Sequence, residues 1–302
     1  MNLTSENQFI SNTNGRSLSI KREDLLHPTV SGNKFRKLKY NLIQARAESY
    51  DTLLTFGGAY SNHIAATAAA GQLEGFKTIG IIRGEELGAN LAQTLEGNPT
   101  LVFAHECGMK FHFISREEYR EKDELRFRES IKKTFDNPFI IPEGGTNELA
   151  IKGCEEILTT DDTDFDYICC PIGTAGTISG IINSLKPHQM ALGFPALKGN
   201  WVADEVRKYT ENEQWKVIPD YHFGGYAKVN VDLVNFINEF YDKHHVLLDP
   251  VYTGKMLYGI SALMKGGYFR ENSRILAVHT GGLQGIAGMN IQLAKKGLPL
   301  IH

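Results

Sequence analysis

Ser31-Gly32-Asn33-Lys34-Phe35-Arg36-Lys37-Leu38 is the stretch on which the reading of this chain turns. It places Lys34 between a small-residue turn and the start of an apolar-periodic helix. Most lysines are solvated surface cations, and one lysine alone says nothing more. A lysine stripped of water at such a junction, however, loses its proton readily and can form a Schiff base with an aldehyde. The choice between these readings rests on three glycine-rich, hydroxyl-bearing turns further along: Gly57-Gly58-Ala59-Tyr60-Ser61-Asn62-His63, Gly173-Thr174-Ala175-Gly176-Thr177 and His279-Thr280-Gly281-Gly282.

Outward from Lys34 the chain alternates strands and helices. Phe35 to Glu48 carries apolar or long side chains at helical spacing, and Asp51 to Phe56 reads as a short buried strand broken by Gly57-Gly58. Ser61 is placed to cap a helix through Ile64 to Ala70. A strand over Thr78 to Ile82, a helix over Leu87 to Leu95, a strand over Phe111 to Ile114, a charged helix over Arg116 to Phe135 and a strand over Phe139 to Pro142 follow. A second series begins near Asn147: helix Leu149 to Leu158, strand Asp166 to Cys170, helix Ile178 to Leu185, then Trp215 to Ile218, Asn230 to Phe240 and Ile275 to Val278. This rhythm indicates parallel, doubly wound sheets. At 302 residues the length allows about two domains or one large α/β unit.

Composition narrows the function. A net charge of −3 gives no basic footprint for nucleic acid. No run approaches ~18 apolar residues, so no membrane span is expected, and Met1-Asn2-Leu3-Thr4-Ser5-Glu6 lacks the features of a secretory signal. The four cysteines show no CxxC spacing and the ten histidines no metal-ligand frame. Reduced thiols in a cytoplasmic protein without a metal site are the expectation.

Strand, Gly173-Thr174-Ala175-Gly176-Thr177, then helix gathers backbone N–H groups and hydroxyls at a helix N-terminus, where an anion is favoured. Many such turns contain glycine for steric reasons only. The turn is neither Gly-x-Gly-x-x-Gly nor Walker A, which weakens a nucleotide reading. An anion cradle, a lysine suited to imine formation and hydroxyl-bearing turns together supply what pyridoxal 5′-phosphate (PLP) needs.

Five motifs occur in order: Ser31-Gly32-Asn33-Lys34-x-Arg36-Lys37-Leu38, Gly58-Ala59-x-Ser61-Asn62-His63, Gly173 to Thr177, Asp249-Pro250-Val251-Tyr252-Thr253-Gly254-Lys255 and His279-Thr280-Gly281-Gly282. Through them the chain resembles the family of 1-aminocyclopropane-1-carboxylate (ACC) deaminases and D-cysteine desulfhydrases, PLP enzymes of fold type II with a tryptophan-synthase-β-like fold. The resemblance implies two α/β domains with PLP in the cleft between them, a larger one of residues 1–35 and 146–302 and a smaller one of residues 36–145. It implies a Schiff base on Lys34, with Lys37 and Gly173, Thr174, Ala175, Gly176 and Thr177 around the phosphate. Asn62 is similar to the side chain that bonds the cofactor's phenolate oxygen. Ser61 resembles the family's contact to the substrate carboxylate and its nucleophile or proton relay, although Ser61 and Asn62 also read as an N-cap pair. Tyr226 and Tyr252 resemble the two active-site tyrosines; outside the family each would read as a core tyrosine.

Two positions separate the branches. Thr253 stands where the deaminases carry glutamate, and Thr280 where they carry leucine. A hydroxyl does not hold the pyridine nitrogen protonated as a carboxylate does, and expelling a β-thiolate needs a weaker electron sink than opening a cyclopropane. The resemblance thus implies a homodimeric lyase releasing pyruvate, ammonia and hydrogen sulfide from D-cysteine, with ACC deamination as the alternative. Tyr60, where many relatives have glutamine, and Ser31, where glycine is common, adjoin the expected substrate position beside Ser61, Asn62 and His63. A weakly active PLP-binding protein is the reading from another class. Lys34, Ser61 and the two tyrosines argue against it, because a binder needs no acid–base groups.

Overall fold

The computed structural model describes residues 4–30 and 32–302, so the expectation attached to Ser31 lies outside the described residues. A hairpin opens the fold: β1 (Asn7–Thr13) pairs antiparallel with β2 (Arg16–Lys21) across Asn14-Gly15, whose φ values of 52° and 75° suit a tight two-residue turn. Next come α1 (Asn33–Ala47), β3 (Thr52–Gly58), α2 (Asn62–Glu74), β4 (Lys77–Arg83), α3 (Leu91–Glu96), α4 (Pro99–Glu106), β5 (Lys110–Ile114), α5 (Leu125–Thr134), β6 (Phe139–Ile141) and α6 (Glu148–Cys154). The remainder is β7 (Tyr167–Ile172), α7 (Gly176–Asn183), β8 (Met190–Pro195), α8 (Trp201–Arg207), β9 (Trp215–Val217), α9 (Val231–His244), α10 (Thr253–Lys265), β10 (Arg274–Val278) and α11 (Gly285–Lys295).

Two sheets divide these strands. The larger has the order β1-β2-β10-β7-β8-β9, parallel throughout except at the β1 edge. The smaller, β5-β4-β3-β6, is all parallel. Every residue of β7 is buried, as a strand covered by helices on both faces requires. Helices α7 and α10 both pack on β7. The small sheet is shared among three apolar clusters, one around Leu53, Ala66 and Ile141, one around Leu54, Ile81 and Ile131, and one around Ile64, Ile82 and Leu101.

This topology places loops. β10 and β7 are neighbours, so the turns after them, Gly173 to Thr177 and His279 to Gly282, leave the large sheet side by side. β3 and β6 are neighbours in the small sheet, so the turn through Ser61 and the turn Glu143–Gly145 leave together as well. Ligands of doubly wound sheets bind at such carboxyl ends.

Several expected elements differ. The helix expected over Leu87 to Leu95 begins only at Leu91, where the Asn90 side chain accepts from Gln93 N–H at 3.2 Å, and a 3-10 turn, Glu85–Leu87, precedes it. The charged stretch from Arg116 to Phe135 is two pieces, a 3-10 turn Glu118–Glu121 and α5, parted by extended Glu124 (ψ 139°). The cause is Tyr119, drawn inward against Phe56 with its hydroxyl 2.8 Å from Glu143, which turns the chain off the helix axis.

Candidate active site

Gly32 sets the position of Lys34. Its φ is 65°, and a Cβ there would fall 2.0 Å from the carbonyl oxygen of Thr280, so only glycine lets the start of α1 lie against the His279–Gly282 turn. Asn33 N–H donates to that same carbonyl at 3.3 Å, while Asn33 Nδ2 donates to Thr177 Oγ1 at 2.7 Å. Lys34 therefore stands half-buried where the turns after β10 and β7 meet. Burial of its ammonium, aided by the charge of Lys37, pulls its pKa down to about 7. A large fraction of Lys34 is thus a neutral, nucleophilic amine at neutral pH.

Lys37, one turn along α1, forms the floor of an anion cradle. Its Nζ donates to Gly144 O (3.0 Å), Thr146 Oγ1 (2.9 Å) and Thr174 Oγ1 (3.2 Å), and the two threonine hydroxyls are 2.6 Å apart. Burial lowers Lys37 to about 8, a cost that a bound anion would relieve. Ala175 adopts a left-handed conformation (φ 59°) to start α7, whose N-terminus has no side-chain cap. A Cβ on Gly176 would meet Thr146 Oγ1 at 2.8 Å and Lys37 Nζ at 3.0 Å. Cation, hydroxyls and an uncapped helix N-terminus fit a phosphate monoester.

The small sheet supplies the facing wall. Ser61 is the N-cap of α2, its Oγ accepting from His63 N–H (3.2 Å) and Ile64 N–H (3.3 Å). Asn62 reaches across: a Cβ on Gly282 would lie 2.5 Å from its Nδ2. Tyr60 lies against α11, where a Cβ on Gly288 would be 2.7 Å from its ring. His63 turns the other way and is buried. Its Nε2 bonds Thr55 Oγ1 at 2.7 Å, and Thr55 in turn donates to Ile141 O, so Nε2 carries the proton and Nδ1 is left without a partner. Burial, then the charges of Lys34 and Lys37, push His63 well below its ordinary pKa, so the ring is neutral.

Tyr226 and Tyr252 pack edge to face with centroids 6.2 Å apart, and a Cβ on Gly173 would touch the Tyr252 ring at 3.1 Å. Burial raises both phenols, Tyr252 far above its usual value, so both keep their protons. Thr253 opens α10 fully buried, and its Oγ1 has no partner. Asp249, the nearby carboxylate, is consumed by the N–H groups of Val251, Tyr252 and Thr253 at 3.0, 2.7 and 2.7 Å. An unpartnered buried hydroxyl of this kind can donate a single hydrogen bond to a ring nitrogen, and the donor set as a whole fits PLP. Thr280 is buried and takes part through its carbonyl.

Asn33 and Lys255 stand in the motifs without a role read for them, and Gly144 and Thr146 stand in none. Glu143-Gly144-Gly145-Thr146 after β6 carries the same strand-then-glycine-and-hydroxyl signal as the other turns. Lys255 is buried and donates to His222 O (2.9 Å) and Gly225 O (2.8 Å), bracing the loop that presents Tyr226. Among the described residues no group of three His, Cys, Asp or Glu side chains is placed to hold a metal, and no helix is long and apolar enough to cross a membrane.

Comparisons with known proteins agree with this geometry. Residues 5–281 match the family described as "Pyridoxal-phosphate dependent enzyme". A putative 1-aminocyclopropane-1-carboxylate deaminase of Pyrococcus horikoshii is 32% identical over 295 residues, covering 91% of this chain and 87% of that protein. The bifunctional D-cysteine desulfhydrase/1-aminocyclopropane-1-carboxylate deaminase of Arabidopsis thaliana is 32% identical over 308 residues, covering 93% of this chain and 76% of that protein. The crystal structure of an ACC deaminase homologue superposes with a TM-score of 0.78 at 27% identity, covering 97% of this chain and 92% of the other. The chain belongs to the pyridoxal-phosphate-dependent enzymes, in the fold type II architecture, and PLP is its cofactor.

Proposed function

We propose that the enzyme is a carbon–sulfur lyase that eliminates the β-substituent of a D-amino acid, converting D-cysteine to pyruvate, ammonia and hydrogen sulfide. The observation that carries this reading is Thr253: a buried, unpartnered hydroxyl stands at the start of α10, with Asp249 tied to backbone N–H groups. No carboxylate of this turn is free to hold a positive charge on the cofactor ring. That favours loss of a good leaving group over opening of a cyclopropane.

When bound, PLP supplies an electron sink for the pair left on the substrate α-carbon. Lys34 is the residue that would hold the cofactor covalently, and once released its amine, about half neutral near pH 7, would be the base for the α-proton. Lys37, Thr174 and the N-terminus of α7 would hold the phosphate, and Asn62 would bond the ring. Ser61 and the N-terminus of α2 bind the α-carboxylate. Tyr226 and Tyr252, both protonated, hold or pass a proton at their phenol oxygens. His63 acts from behind the cleft, where its neutral ring bonds the Thr55 hydroxyl and packs closely against Gly145.

ACC deamination is the second reading, favoured by the names of the Pyrococcus and Arabidopsis relatives. The test is the ratio of catalytic efficiencies, pyruvate from D-cysteine against 2-oxobutanoate from ACC. A ratio well above one supports the lyase; a ratio favouring ACC overturns the argument from Thr253. We further propose a cytoplasmic homodimer, for which sedimentation should return twice the 33.7 kDa chain mass.

A further inference from the structure

A cavity of about 670 Å³ opens at the carboxyl ends of β3 and β4, and Gly58, Ala59 and Tyr60, the turn leading to Ser61, form one of its walls. A cysteine side chain would fill only a small part of such a volume. Four cations face it, Arg83, Arg116, Arg120 and Lys122, against two carboxylates, Glu86 and Glu143. Both carboxylates are already engaged. Glu86 pairs with Arg116, and Glu143 accepts from the Tyr119 hydroxyl at 2.8 Å with Lys122 at 3.4 Å. Among the described residues, Arg83 and Arg120 form no ion pair, so the cavity holds uncompensated positive charge.

Arg83, though exposed, leans over this wall. Its guanidinium stacks over the Tyr119 ring at 5.6 Å, and one of its terminal nitrogens lies 3.6 Å from where a Cβ on Gly58 would sit. That puts a planar guanidinium, the geometry that pairs with a carboxylate, beside Gly58, three residues before the cap Ser61. Arg83 also lies near enough to Tyr226 for its charge to be among those that offset the rise burial gives that phenol.

We propose that this cavity receives the far end of the substrate, and that the preferred substrates are D-amino acids whose β-substituent ends in an anion, with Arg83 and Arg120 as its receptors. This rests on the lyase reading above. The step balances without an oxidant: the Cα–H proton and the Cβ–S bond are lost, the electron pair leaves with sulfur as a thiolate that takes up a proton, and water releases pyruvate and ammonia.

The experiment compares S-carboxymethyl-D-cysteine with its uncharged isostere S-carbamoylmethyl-D-cysteine on the holoenzyme, each variant serving as its own reference. Pyruvate release should favour the carboxylate by at least tenfold in kcat/KM, expressed in KM, and Arg83→Met should bring the ratio towards one. Dissociation constants for the same pair, read from the change in cofactor absorbance on binding, should show the same preference without requiring turnover. If both compounds release pyruvate at equal efficiency, or if Arg83→Met and Arg120→Met leave the preference intact, the cavity proposal is overturned while the lyase reading stands. Preferential binding of the carboxylate without pyruvate from either compound or from D-cysteine overturns the lyase reading and supports the cavity as an anion receptor.

Discussion

Gly176 is where the anion cradle depends on a missing side chain, because a Cβ there meets both Thr146 Oγ1 and Lys37 Nζ within 3.0 Å. Gly176→Val should therefore weaken PLP by at least tenfold, about 1.4 kcal/mol; fluorescence titration with unchanged affinity would put the phosphate elsewhere. Lys34 makes a second prediction. Since only the neutral amine attacks an aldehyde, capture of pyridoxal by the apoprotein should rise with pH to a plateau with its midpoint near 7. An ordinary lysine would put that midpoint near 10.4. Lys37→Met should move it upward, because burial, the larger cause, remains while the repelling charge is gone. A midpoint unmoved by Lys37→Met would show that the two ammonium groups do not interact. At this scale Lys34, Lys37, Ser61 and the Gly173–Thr177 turn can be singled out from sequence because their motifs are local. Thr146 and Asn33 were not legible, since their roles arise from contacts with Lys37 and Thr177 more than 100 positions away.

Helix α2 shows how an element can serve both folding and binding. Its N-cap side chain satisfies two backbone N–H groups, so Ser61→Ala should cost ~1 kcal/mol of stability and also lower turnover. Ser61→Asp separates the two roles. Aspartate caps as well as serine, so urea denaturation should find near-normal stability, while its charge should repel the substrate carboxylate and raise KM sharply. A fully active Ser61→Asp enzyme would remove Ser61 from the substrate site. Strand–helix periodicity made most parallel strands visible, yet β8 went unread because Gly193 and Pro195 interrupt its apolar pattern. The opening hairpin was missed although Asn14-Gly15 is a strong turn signal. The break before α5 was invisible because tertiary burial of Tyr119 overrides a helix-favouring composition.

At the scale of the molecule, two sheets present neighbouring loops to one another and Lys34 lies where they meet. Gly32 is the contact on which that meeting depends. Gly32→Ala would force a Cβ into the Thr280 carbonyl at positive φ, and should cost at least ~2 kcal/mol with loss of cofactor retention. Wild-type melting and retention in this variant would show that α1 and the His279–Gly282 turn can part without harm. None of these pairings follows from composition or periodicity; motif order, through the family resemblance, was what made the cleft legible. The most direct measurement is reduction of the holoenzyme with borohydride followed by peptide mapping. A single reduced cofactor adduct is expected on Lys34, absent from Lys34→Ala. An adduct on Lys37 or Lys255 instead would contradict it.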